Sequence, residues 1–196
     1  MGAIAALVIG LAIGSVTEWF PTDVIPAATS GGPWVLVSFL VALTAAGIAS
    51  ATARGLACMA GLTIGYYSAG TLHALPPSTG TASFWIPAAM LIGPLVGLAA
   101  GCVRFGPPLL AHVATGGVPG MLLGESIAAH DRLATYRLAL ALVGVGMMAG
   151  LLAWQVPRYA SQTSTARAVT GAGAVALAAC LAAGALTVSL YRYANL

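Results

Sequence analysis

What most constrains this chain is the continuity of its apolar sequence. Seven stretches, roughly 2–20, 34–53, 55–75, 84–103, 108–129, 134–155 and 168–191, run on with almost no charge inside them. A hydrocarbon layer about 30 Å thick is crossed by a helix of on the order of 20 apolar residues. Each stretch meets that requirement, so the pattern predicts an all-α polytopic transmembrane helical bundle, one integral membrane domain over residues 1–196. The runs lack the alternation, broken about every ten residues by turns, that marks a transmembrane barrel. Composition agrees: 6% of residues are charged, where a soluble domain carries about a quarter. The segment from Ala3 to Ile13 has no basic residues before it, which argues for a retained first span rather than a cleaved signal.

Basic charge comes from seven arginines spread singly, with no patch suited to nucleic acid. Trp19, Phe20, Trp34, Phe84 and Trp85 fall where spans one, two and four meet one side of the membrane, as an interfacial aromatic belt would. The loops on that side, 21–33 and 76–83, hold no arginine, whereas Arg54 and Arg104 stand at the tight turns opposite. The positive-inside rule then puts the N-terminus in the cytoplasm, here of a bacterial inner (plasma) membrane. The fifth stretch is ambiguous, because Pro107, Pro108, Gly116, Gly117 and Pro119 could break a helix. The alternative to seven spans is six plus a re-entrant segment at 107–129, which the arginine count favours mildly.

Glycines recur at intervals of four: Gly10 and Gly14; Gly61 and Gly65; Gly93, Gly97 and Gly101; Gly116, Gly120 and Gly124; Gly146 and Gly150. Such ridges let backbones approach closely in lipid, where no hydrophobic drive separates helix from solvent. Glu125, one of four acidic residues, follows Gly124 and is rotated about 100° from that ridge. It therefore lies at the margin of a packing face, and an acid inside a membrane is a functional candidate because it is costly.

Trp34-Val-Leu-Val-Ser-Phe-Leu-Val-Ala-Leu43, Gly65-Tyr-Tyr-Ser-Ala-Gly70, Trp85, Ile92-Gly-Pro-Leu-Val-Gly97, Arg104 and Leu123-Gly-Glu125 together resemble an uncharacterised family of small polytopic membrane proteins found mainly in actinobacteria, domain of unknown function 6518. The resemblance covers most of residues 10 to 155. It implies that the segment ending in Gly-Glu is a full crossing with Glu125 toward the outside, and that the loop holding Arg158 and Arg167 lies inside. It implies no activity.

On seven spans all four acids, Glu18, Asp23, Glu125 and Asp131, gather at the external side with His73, His130, Arg132 and Arg137. Glu125, Arg137, Glu18, Asp23, His73, His130 and Asp131 are thus the candidate substrate-binding residues, with Arg137 facing Glu125 across a helical hairpin. The bland reading is that these are helix-end polar groups, Asp131 capping the sixth helix or pairing with Arg132. No metal or cofactor is expected: the histidines lack i, i+4 spacing, and there is no phosphate loop or dinucleotide fingerprint. Ser126 and His130 stand one turn apart without a nucleophile-elbow motif, so no enzyme is expected. Cys58, Cys102 and Cys180 lie singly in apolar segments, as small packing residues, and His112 is expected to pack by hydrogen bonding between helices.

Two functions remain open from sequence. One is small-solute transport, or a membrane-embedded solute-capture subunit, through an external polar site. The other is a non-catalytic accessory or scaffold subunit docking another membrane protein. The lipid bilayer is the expected partner, and the small-molecule ligand is not specified.

Overall fold

The computed structural model describes residues 2–19, 30–72, 79–129, 134–159 and 165–193. Among the described residues there is no strand, and seven α-helices follow in order: α1 Ala3–Val16, α2 Gly31–Leu43, α3 Ile48–Leu72, α4 Thr79–Phe105, α5 Pro108–Ala128, α6 Ala134–Tyr159 and α7 Thr165–Tyr193. A single 3₁₀ turn, Thr17–Trp19, closes α1, with the Thr17 hydroxyl donating to the Gly14 carbonyl at 2.6 Å.

Among the described residues four segments are long and apolar enough to cross a membrane: Ile48–Thr71, Ala82–Phe105, Ala134–Gln155 and Gly171–Arg192. At 1.5 Å per residue, α1 and α2 are shorter, about 20 Å each. Helix α5 has 21 residues, about 31 Å, and is not among those four. It starts with proline, whose missing N–H is no loss in a first turn. It runs without interruption through Gly116, Gly117 and Pro119, so the chain does not double back inside it.

One boundary differs from the sequence expectation. The turn between the second and third helices lies at 44–47, and Arg54 sits inside α3, which begins at Ile48. Thr44 closes α2, its N–H and hydroxyl both donating to the Val41 carbonyl, and the Ala51 N–H donates to the Gly47 carbonyl at the start of α3. The surrounding Val-Ala-Leu-Thr-Ala-Ala-Gly-Ile-Ala run is apolar on both sides of this turn, so hydropathy alone does not mark it.

The helices gather into two compact units, residues 1–101 and 102–196. In the first, α1 runs parallel to α3: an added Cβ at Gly10 would strike the Cys58 carbonyl, and at Gly14 the Leu62 carbonyl. Gly61 and Gly65 of α3 press in turn on the Leu7 and Leu11 carbonyls. Helix α2 runs antiparallel to α3, since Trp34 meets Tyr66 edge-on at 5.8 Å, Ser38 points to the Met59 sulfur at 4.0 Å, and Thr44 meets Arg54. Helix α4 is antiparallel to α3 as well. A Cβ at Gly55 would lie 2.5 Å from the Gly93 carbonyl oxygen, Gly97 faces Ala51, and Gly101 comes within 2.9 Å of Ile48 Cα.

The second unit repeats the device with other helices. Helix α5 runs parallel to α7: Gly116 abuts Ala176, Gly120 abuts Cys180, and a Cβ at Gly124 would lie 2.5 Å from the Gly184 carbonyl oxygen. Helix α6 returns antiparallel to α5, with Gly144 against Leu123 and Pro119. Gly146 and Gly150, which share the same spacing in sequence, have nothing within 4 Å and lie on an exposed face of α6. Large apolar side chains such as Leu138, Leu142, Val145, Leu181 and Leu186 also face outward, the surface expected of helices whose solvent is hydrocarbon.

Candidate functional site

The buried polar side chains of α5 and α6 collect at the two ends of their hairpin. At one end Glu125, 2% exposed, accepts a hydrogen bond from the Tyr136 hydroxyl at 2.6 Å. Beside it, Arg137 Nε donates to the Ser126 carbonyl at 2.9 Å. The expected pairing of Glu125 with Arg137 is therefore replaced: the phenol takes the carboxylate and the guanidinium takes the backbone.

Helix geometry gives the reason. Tyr136 and Arg137 are adjacent in α6 and so point about 100° apart, which leaves room for only one of them on Glu125. The Ser126 carbonyl lies in the last turn of α5, where the final four C=O groups have no intrahelical donor and the helix dipole is negative. A cation is the natural cap there. The Ser126 hydroxyl is occupied with its own helix, donating to the Leu123 carbonyl at 2.7 Å.

At the other end, Gln155 is 1% exposed and makes three contacts. Its Nε2 donates to the Ala111 carbonyl at 3.2 Å and to Thr115 Oγ1 at 2.5 Å, while Oε1 meets His112 Nδ1 at 2.7 Å. Because the amide nitrogen is committed to α5 acceptors, Oε1 faces the imidazole, and an amide oxygen only accepts. His112 Nδ1 is thus assigned the proton. Thr115 passes its own proton on to the Ala111 carbonyl at 2.8 Å. One turn further along α6, Arg158 donates to the carbonyls of Val103 and Arg104 and lies over the Trp154 ring at 4.6 Å.

Between these ends the seam is apolar, formed by Pro119, Leu123 and Gly144. Glu125 and His112 are 13 residues apart on one helix, a rise of about 20 Å. They are two separate sites rather than one.

Of the other residues predicted from sequence, Glu18 has its backbone in the 3₁₀ turn after α1. Asp23, His73, His130 and Asp131 lie outside the described residues. Tyr136 and Gln155 are the participants that sequence reasoning missed. Tyr136 carried a signal, a hydroxyl in the first turn of a helix facing Glu125 across a short loop; Gln155 is an amide deep in an apolar span, where any polar group needs a partner. Among the described residues no three His, Cys, Asp or Glu side chains gather as a metal site would require. The free thiols Cys58, Cys102 and Cys180 are all buried.

A family model described as a family of unknown function, DUF6518, matches residues 1–191. No curated protein and no solved structure matches the chain.

Proposed function

Since the chain belongs to the family of unknown function DUF6518, we propose its role from its own geometry: a seven-span membrane protein that handles a small solute at an external site built on Glu125. It acts as a small permease or as a membrane-embedded capture subunit, without chemistry of its own. Seven crossings are supported by direction. Within the first unit α2 and α4 oppose α3 while α1 matches it, and within the second α6 opposes α5 while α7 matches it. Successive crossings require that alternation. Arg54, Arg104, Arg158 and Arg167 then mark the cytoplasmic side of a bacterial plasma membrane, with the N-terminus inside.

The observation that carries the functional reading is the company of Glu125. It is buried, its side chain is held by a neutral phenol, and the neighbouring guanidinium donates its Nε to a carbonyl and not to the carboxylate. A membrane acid in that position has capacity left for a ligand, and a solute bearing a cation or strong hydrogen-bond donors complements it. A thermal-shift screen of small organic cations on the purified protein tests this. At least one should stabilise the wild type and not Glu125→Gln; ligand shifts that survive intact in Glu125→Gln would remove the role. The topology has its own test, maleimide labelling of a cysteine at position 130 or 131 in intact cells. The three native cysteines are buried, so labelling from outside would report that loop.

A second reading, an accessory subunit docking another membrane protein, is favoured by one feature: the open face of α6 at Gly146 and Gly150. Mild-detergent purification that yields the chain with no stoichiometric companion would argue against it.

A further inference from the structure

We propose that Arg54 and the turn at 44–47 form a binding site for a phosphate oxyanion at the end of the first unit where α3 begins. Arg54 is 6% exposed, although it carries a permanent charge. A guanidinium has five N–H donors. Here Nη1 donates to Thr44 Oγ1 at 2.8 Å, and Nε is buried with no hydrogen-bond partner. Thr44 gives its own proton to the Val41 carbonyl at 2.7 Å, so its oxygen is held in place as the acceptor for Arg54.

A buried charge normally comes with a counter-charge, and the described helices of the first unit place none here. No acidic residue occurs in α1, α2, α3 or α4. The acids nearest in sequence on either side are Asp23, 31 residues before (54 − 23), and Glu125, 71 residues after (125 − 54). Glu18 follows the C-terminal end of α1, and α1 runs parallel to α3 with Gly14 level with Leu62, so Glu18 falls toward the opposite end of the unit from Arg54. The described helices of the unit therefore leave this charge without an acidic partner.

The surroundings fit an oxyanion. The side chain of a helical residue leans toward the helix N-terminus, which carries Arg54 back to the start of α3. There the first N–H groups have no intrahelical acceptor and the helix dipole is positive. Gly47 leaves the space beside the turn open, with nothing within 4 Å of the position a Cβ would take. The planar fork of a guanidinium matches an acceptor with two oxygens better than a spherical halide. Phosphate is that acceptor, whether carried by a phospholipid headgroup or free in the aqueous phase.

The purified full chain in mild detergent is the test material, and its thermal midpoint and native mass spectrum are the readouts. Phosphatidylglycerol is compared with diacylglycerol of the same acyl chains, and sodium phosphate with sodium chloride at matched ionic strength. A lipid source predicts a stabilising shift and a retained lipid adduct with phosphatidylglycerol only; a free-phosphate source predicts the shift with sodium phosphate. In either case Arg54→Gln should weaken the apparent affinity about tenfold or more, the worth of a lost hydrogen bond to a charged group. Arg54→Lys keeps the charge without the fork and should fall between, which decides the matter if Arg54→Gln fails to fold. Shifts no larger than the diacylglycerol and chloride controls would overturn the site, as would variants that respond like the wild type.

Discussion

Replacing Gly120 by alanine asks whether α5 and α7 are held by direct backbone contact. A Cβ at Gly120 falls against the Cys180 carbonyl oxygen of α7, and its neighbours on the ridge, Gly116 and Gly124, meet the Ala176 and Gly184 carbonyls in the same way. A carbonyl in a helix cannot rotate aside as a side chain does, so the two helices must part over several residues. Overpacking of a tight core costs about 1–3 kcal/mol, and the upper end applies where backbone is the obstacle. Alanine returns about 0.8–1.0 kcal/mol of helix propensity over glycine, which leaves a net loss of about 2 kcal/mol. The chain supplies its own control. Gly146 and Gly150 share the four-residue spacing but have nothing within 4 Å, so Gly146→Ala and Gly150→Ala keep only the propensity gain and should be stabilised by about 0.5–1 kcal/mol. The two classes should then differ by about 3 kcal/mol in reversible unfolding by dodecyl sulfate in mixed micelles, followed by helical circular dichroism. If Gly120→Ala matched Gly146→Ala to within about 1 kcal/mol, contact between backbones would not be what joins α5 to α7.

The hairpin contacts give further expectations. Tyr136→Phe removes one charge-assisted hydrogen bond and should destabilise by about 1–2 kcal/mol in the same assay; the double variant with Glu125→Gln should lose less than the sum of the singles. Gln155→Leu breaks three contacts, each worth about 0.6 kcal/mol between membrane helices, for a total of about 2 kcal/mol. His112→Leu should be largely silent once Gln155 is already leucine, and full additivity of the two would refute the assigned bond. Arg137→Ala should cost about 1 kcal/mol through the uncapped carbonyl of Ser126, whereas Arg137→Lys should recover part of that stability without restoring the Nε donor.

The apolar runs were visible in the sequence because lipid demands length, and length is written plainly in hydropathy. What each helix turns toward its neighbours was not, and the cause is physical. In a soluble helix the polar face fixes the rotation, since one side must meet water. Here both the interior and the surroundings are apolar, so an outward Leu142 and an inward Leu122 look alike in sequence. The same ambiguity made Gly146 equivalent to Gly120, and left Tyr136 and Arg137 equally eligible for Glu125 when only their order was known. Rotation becomes legible only at residues that cannot tolerate lipid. Gln155 and His112 fix one end of the α5–α6 seam, and Glu125 with Tyr136 fixes the other. Arginines mark membrane boundaries, so the sequence places Arg54 at a turn, and the alanine-rich run around it conceals a helix start six residues earlier, at Ile48. That displacement gives Arg54 its interest: one and a half turns inside α3 a guanidinium is removed from water, and its unmet Nε becomes a demand for an anion that no residue of the surrounding helices supplies.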